Sequence, residues 1–283
     1  METRVSSKTR EVVISDERAT ILIGERINPT GKKKLQEALL AGDLDLVRAE
    51  AVAQVEAGAD ILDVNVGATG VDETVLLPEA VKAVMAVTDV PLCIDSGNPR
   101  ALEAALQVYE GRALVNSVTA EERSLNDILA LVKKHDAAVI GLTMDDKGIP
   151  NSAEKRIELA HKIVSRAESI GIARNDVVID CLNMPAAANP DATGTLIDSL
   201  TYVRSELGVN MTLGASNVSF GLPERSLING VFLAIAIHLG VNCPVVDVAK
   251  VKPYILATDA LLGKDAYMRR FIQDFRRRQK AAQ

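Results

Sequence analysis

Short apolar runs of four or five residues alternate along this chain with longer segments whose apolar positions recur every three or four residues. A continuous short run fits a strand buried on both faces, and the three-to-four period fits a helix with one buried side. Eight strands are predicted: Thr20 to Gly24, Ile61 to Val64, Leu92 to Asp95, Ala113 to Asn116, Ala138 to Leu142, Val177 to Asp180, Met211 to Ala215 and Val245 to Val248. Between and after them, helices are predicted at Asp45 to Glu56, Leu76 to Thr88, Pro99 to Tyr109, Leu125 to His135, Ser152 to Ser169, Thr193 to Leu207, Ser226 to Leu239 and Pro253 to Arg278. Gly58, Gly171, Gly208 and Gly240 stand where left-handed helix ends are expected. Strand and helix in strict alternation predict repeated βαβ units around a parallel sheet, and eight repeats make the fold class α/β, a (β/α)8 TIM barrel.

No linker-like composition divides the chain, so one barrel domain is predicted over residues 20–283, with residues 1–19 as an N-terminal extension. Glu11 to Ser15 reads either as a short strand lidding the barrel bottom or as part of a mobile tail. The 283 residues suit a barrel of about 250. Hydrophobic residues make up 48% of the chain but aromatics only 3%, so the core must be Val, Ile, Leu and Ala. A net charge of -6 argues against a nucleic-acid partner, which needs a basic face. Three isolated cysteines, Cys93, Cys181 and Cys243, support neither a disulfide framework nor a metal site, and fit a reducing cytoplasm. The longest apolar run near the C-terminus, Val231 to Ile237, is far short of the roughly 20 residues of a membrane span, and its expected role is packing on the barrel wall. The basic ending RRFIQDFRRRQK reads as charge complementing a helix dipole, or as a contact for an acidic partner.

The strands stop on Asp, Asn, Glu and Ser: GERIN (Gly24 to Asn28), DVNVG (Asp63 to Gly67), IDS (Ile94 to Ser96), VNS (Val115 to Ser117), LTM (Leu142 to Met144), IDC (Ile179 to Cys181) and ASNVS (Ala215 to Ser219). In a barrel the C-terminal strand ends share one mouth, so these side chains converge. Any one of Asp95, Asn116, Asp180 and Asn217 can be read as a cap for the next helix. Four together point to a small-molecule site for a neutral heterocycle rich in N–H donors and ring acceptors. Asp63 and Asn65 share a strand face and are placed to orient Asp95 or Asn116. His135, His161 and His238 all fall in helix patterns, away from any metal-ligand spacing.

Together, IGERIN, DVNVG, CIDS, VNS, IGLTM followed by GIP, VIDCL, and GASNVS with RSLIN resemble the pterin-binding methyltransferases. These are the corrinoid-dependent methyltetrahydrofolate methyltransferases and the folate domain of cobalamin-dependent methionine synthase, with dihydropteroate synthase more distant. The resemblance spans roughly Ile21 to Leu262. It implies that Asp95, Asn116 and Asp180 hydrogen-bond the pterin edge, with Ser216 and Arg225 beside them, and that Asn217 stands at the methyl-bearing ring nitrogen as the catalytic residue. Arg225 would hold its loop or meet the anionic folate tail. Glu25, Asn28, Asp63, Asn65, Ser96 and Met144 would frame the pocket, Met144 and Ile149 as an apolar wall or as packing. Phe220 departs from the family pattern, which has a polar glutamine toward the aminobenzoyl ring.

The implied activity is methyl transfer between tetrahydrofolate or 5-methyltetrahydrofolate and the cobalt of cobalamin, a corrinoid carried by a separate protein. No DxHxxG segment is present to hold cobalt here. The resemblance also implies a homodimer, for which Tyr254, Leu261 and Leu262 are candidate contacts. The rival readings are a dihydropteroate synthase, which would need basic groups after strands seven and eight where this chain has SNVS and VVDVAK, and a pterin-binding subunit without catalysis.

Overall fold

A computed structural model describes residues 1–189 and 191–281. Eight parallel strands form its centre: β3 (Ile23–Ile27), β4 (Ile61–Val64), β5 (Leu92–Asp95), β6 (Leu114–Thr119), β7 (Ala138–Leu142), β8 (Val177–Asp180), β9 (Met211–Thr212) and β10 (Val245–Val246). From β3 to β9 neighbours in chain order pair with each other, and β10 returns to pair with β3. Single parallel bridges, Met211 to Val241 and Gly214 to Val245, close the remaining seam. The chain is the predicted TIM barrel.

Strand alternation sorts the side chains into two cores. One set, including Leu62, Val64, Leu92, Ile94, Val115, Val139 and Ile179, faces outward under the helices. The other, including Ile23, Ile61, Cys93, Leu114, Ala138, Ile140 and Val178, fills the barrel interior. The interior is sealed below by an antiparallel hairpin, β1 (Glu2–Ser6) and β2 (Glu11–Ser15), whose Val5, Val12 and Ile14 join the same cluster. Asn210 fastens it by donating to Ile14 O at 3.1 Å and Thr3 Oγ1 at 2.8 Å. Glu11–Ser15 is therefore a lidding strand and not a tail.

The outer ring comprises α1 (Lys33–Leu40), α2 (Asp45–Ala57), α3 (Glu73–Met85), α4 (Pro99–Val108), α5 (Glu122–Lys134), α6 (Ala153–Ser169), α7 (Ala192–Tyr202), α8 (Arg225–His238), α9 (Val248–Leu261) and α10 (Arg269–Ala281). The four expected glycines all have positive φ, from 62° at Gly208 to 110° at Gly240. At Gly230 the need is proximity: a Cβ would stand 2.4 Å from the Tyr254 ring, so α8 and α9 pack closer than any other residue allows.

Several boundaries differ from expectation. Strand pairing begins at Ile23, because Thr20 is drawn to α9 by two hydrogen bonds to Asp259, at 2.7 and 2.9 Å. β9 stops at Thr212, and Ala215–Asn217 forms a helical turn. α1 was not foreseen; it buries only Leu35 and Leu39. The expected helix from Pro253 to Arg278 is two helices, and Pro253 lies inside the first. Gly263, at φ 77°, ends that helix, and the Asp265 carboxylate starts the second by accepting from the Arg270 and Phe271 amides, both at 3.1 Å. The run Val231 to Ile237 is only partly wall packing: Phe232, Leu233, Ala236 and Ile237 are buried, while Val231 is 54% and Ile235 42% exposed.

Candidate active site

On five of the barrel strands, one step further along the interior row toward the C-terminal mouth replaces an apolar residue with an acid or an amide. Ile23 leads to Glu25, Ile61 to Asp63 and Asn65, Cys93 to Asp95, Leu114 to Asn116 and Val178 to Asp180. The parallel register sets Asp95 beside Asn116. Cross-strand bonds then pair the groups: Asn65 Nδ2 donates to Asp95 Oδ2 at 2.9 Å, and Asn116 Nδ2 to Asp63 Oδ1 at 3.1 Å. Of the two residues expected to orient Asp95 or Asn116, Asn65 meets Asp95 and Asp63 meets Asn116.

Desolvation dominates the electrostatics, because a carboxylate loses more hydration on burial than one hydrogen bond returns. Burial pushes Asp180 up to about 7, against the opposing pull of the Leu182 amide and the Arg156 guanidinium. Burial likewise lifts Asp95 to about 6, with the Asn65 amide opposing. Asp63 is held well above the usual carboxylate range by burial and then by the Asp95 charge. Glu25 is raised by burial and eased by the Ser216 hydroxyl. Among the described residues Glu25, Asp95 and Asp180 each have one neutral donor, and Asp63 has the Asn116 amide and the Cys93 thiol. Among the described residues, Asp95 Oδ1 and Asp180 Oδ2 accept no hydrogen bond. These are free acceptors in a mouth that already favours neutral groups.

The sequence profile of a family described as pterin binding enzyme matches residues 24–247, from the first barrel strand through the last. The chain belongs to this family. A methylcorrinoid:tetrahydrofolate methyltransferase from Eubacterium limosum is 33% identical over 264 residues, covering 90% of this chain and 96% of the relative. A methionine synthase from Mycobacterium leprae is 30% identical over 265 residues, 89% of this chain but only 22% of that protein. Among solved structures, a dihydropteroate synthase from Xanthomonas albilineans bound to 4-aminobenzoic acid superposes with a TM-score of 0.68 at 20% identity, over 92% of this chain and 98% of that one. One from Yersinia pestis gives 0.68 at 17% identity, over 93% and 100%. At these identities the structures establish the shared fold alone.

The remaining expected site residues divide by what they touch. Ser216 donates to Glu25 Oε1 at 2.6 Å, tying the turn after β9 to the end of β3 across the weakly bridged seam. Arg225 donates to Ser216 O at 2.8 Å and Ser219 Oγ at 3.1 Å, so it holds this loop. Asn217 is exposed on the same turn. Ser96 donates to Glu73 Oε2 at 2.6 Å and so braces the start of α3. Asn28 accepts from the Thr30 amide at 2.9 Å and shapes its own loop. Met144 and Ile149 are half-buried, and Phe220 is 68% exposed.

Two residues went unrecognised in the sequence. Asn183 is buried and donates to Gly214 O at 3.4 Å, joining the turns after β8 and β9. Arg156 is buried on α6 with its guanidinium on the turn after β8. Its signal was positional: it stands three residues after Ala153 and four before Ala160, on the helix's buried stripe.

Asp180 carries a stability cost with a definite sign. Its folded pKa is raised, so its contribution is most favourable below about pH 4 and is lost as pH rises through about 7. Asp180→Asn should therefore raise unfolding stability at pH 8 by about 2–4 kcal/mol and give no gain near pH 4. Denaturant melts at the two pH values check this; equal stabilities at pH 8 would contradict it.

Proposed function

We propose that this protein moves a methyl group between a ring nitrogen of tetrahydrofolate and the cobalt of cobalamin carried on a separate corrinoid protein. The observation that carries the reading is the convergence of Asp95, Asn116 and Asp180 in one desolvated mouth, with Asn217 exposed on the turn beside them. An amino-pyrimidinone edge offers ring N–H and exocyclic amine donors to aspartate, and both donors and acceptors to asparagine. The relative named as a methylcorrinoid:tetrahydrofolate methyltransferase supports the same reading, because this chain matches 96% of its length.

Folate would lie with its pterin edge on Asp95, Asn116 and Asp180. The Asn217 amide then meets the methyl-bearing nitrogen as its charge changes. In the folate-to-cobalt direction, the ring nitrogen would take a proton from solvent, the Co(I) electron pair would form the carbon–cobalt bond, and the carbon–nitrogen bonding pair would stay on nitrogen, which leaves as the neutral N–H amine of tetrahydrofolate. The protein supplies proximity, orientation and a fixed dipole. The exposed turn holding Asn217 and Phe220 belongs to the surface that the corrinoid protein would approach. The pterin-binding unit comprises residues 20–283, with 1–19 as an extension that closes its floor. Three buried free cysteines fit a reducing cytoplasm. Among the described residues no helix is long and apolar enough to cross a membrane.

Asn217 separates this reading from a pterin-binding subunit without catalysis, and the absence from the sequence of an Arg-x-His late in the chain disfavours dihydropteroate synthesis. Mixing the protein with 5-methyltetrahydrofolate and Co(I) cobalamin should produce methylcobalamin, followed by its visible spectrum. Asn217→Ala should slow the reaction by roughly 10²-fold at saturating folate. An unaltered rate in the variant would remove Asn217 from the chemistry, and no methylcobalamin from the native protein would remove the activity.

We also propose a homodimer. Leu227, Val231 and Ile235 repeat every four residues on the exposed face of α8, and beside it Tyr254 and Leu261 are exposed on α9 and Leu262 at its C-terminal cap. An isologous contact through this face leaves both mouths open. Light scattering should give twice 30.2 kDa at micromolar protein, and a Val231→Glu, Ile235→Glu variant should give 30.2 kDa. A native monomer would rule the dimer out.

A further inference from the structure

Arg156 has the largest of the fully buried side chains, only 1% exposed. Among the described residues it forms no ion pair. Its guanidinium instead meets three carbonyl oxygens: Pro150 O from Nε at 2.9 Å, Cys181 O from Nη1 at 2.8 Å and Leu182 O from Nη1 at 3.0 Å. A buried cation whose hydrogen bonds all go to neutral carbonyls is an expensive packing choice, and the residues beside it on the helix, Ala153, Ile157 and Ala160, show that an apolar residue would suit this stripe.

The turn it grips explains the charge. Leu182 has φ 59°, a left-handed conformation uncommon for a residue with a side chain. In that conformation its N–H donates to Asp180 Oδ1 at 2.7 Å. The Cys181 carbonyl and the Leu182 N–H are two ends of one peptide group. Arg156 therefore holds the oxygen end of a dipole whose hydrogen end is on the Asp180 carboxylate, and the cation polarises that peptide toward the acid.

We infer that Arg156 is a positioning residue for Asp180: through the Cys181–Leu182 peptide it fixes that carboxylate and keeps it able to accept from a donor-rich heterocycle. The inference rests on the reading of the mouth as a pterin site. It is consistent with burial raising Asp180 while the Leu182 amide and Arg156 oppose the rise. The other titratable groups facing Asp180 are the Cys181 thiol, on the residue that follows it, and the Cys243 thiol, just before β10; burial raises both, so neither supplies charge near neutrality.

The test is calorimetric binding of 5-methyltetrahydrofolate from about pH 6 to 9, with hydrogen exchange read at the Leu182 amide, for the native protein, Arg156→Met, Arg156→Lys and Asp180→Asn. Native affinity should fall as pH drops through the Asp180 midpoint. Arg156→Met should move that midpoint up by about one pH unit and weaken binding at pH 7 about fivefold, with the loss narrowing toward pH 9. Arg156→Lys, which keeps the charge but not the fork, should fall between them, and the Leu182 amide should exchange faster in both. If Arg156→Met does not fold, the lysine variant decides alone. A uniform affinity loss at every pH with an unmoved midpoint would reduce Arg156 to packing and overturn the inference. If Asp180→Asn binds folate as well as the native protein, the pterin reading itself falls, and the inference with it.

Discussion

Carboxylates resist removal from water, and the mouth of this barrel withdraws four of them within one layer. The arrangement follows from the two-residue alternation of strands in a closed sheet. Whatever side chain follows Ile23, Ile61, Cys93 or Val178 by two positions must enter the same enclosed space, and in this chain that residue is Glu25, Asp63, Asp95 or Asp180. Among the described residues the donors are few: Ser216 for Glu25, Asn116 and the Cys93 thiol for Asp63, Asn65 for Asp95 and the Leu182 amide for Asp180. These do not restore ordinary acidity, and the raised pKa values of all four acids express that deficit.

The rest of the molecule tolerates this layer by being apolar below it. The hairpin β1–β2 closes the barrel floor, so the interior between floor and mouth is a largely apolar column of Val, Ile, Leu, Cys and Ala. Such a column keeps the local dielectric low, which makes the acids costly when unpaired and selective for a ligand that brings its own donors. The weak point is the seam between β9 and β10, joined only by single bridges. Ser216 to Glu25 and Arg225 to the Ser216–Ser219 turn cross or brace that seam, so the loop bearing Asn217 is set by side chains where backbone pairing is sparse.

Much of this was legible in the sequence, because β5 and β8 are apolar runs ending in aspartate, β4 and β6 carry Asp63 and Asn116 after an apolar start, and barrel geometry dictates where such positions meet. Asp95, Asn116 and Asp180 could be named on that ground. Less legible was everything set by contacts remote in sequence. The Thr20–Asp259 bonds that delay β3 join opposite ends of the chain, and the break at Gly263 depends on Asp265 capping α10. The partners within the site were also hidden: alternation placed Asp63 and Asn65 on one face but did not say which would meet Asp95. Arg156 was missed because a charged residue on a helix is ordinarily read as solvent-facing, and only its register with Ala153 and Ala160 betrays burial.

In the proposed function, pterin donors would stabilise carboxylates to which the protein itself gives few partners. Proton release on folate binding measures this directly. Calorimetry at about pH 6.5 in buffers of differing ionisation enthalpy should show release of a substantial fraction of one proton, because Asp180, about 7 in the free protein, is driven to its ionised form by the ligand's N–H groups. The release should vanish near pH 8.5, where the acid is already ionised. Tight folate binding at pH 6.5 with no proton released, or with protons taken up, would contradict the account.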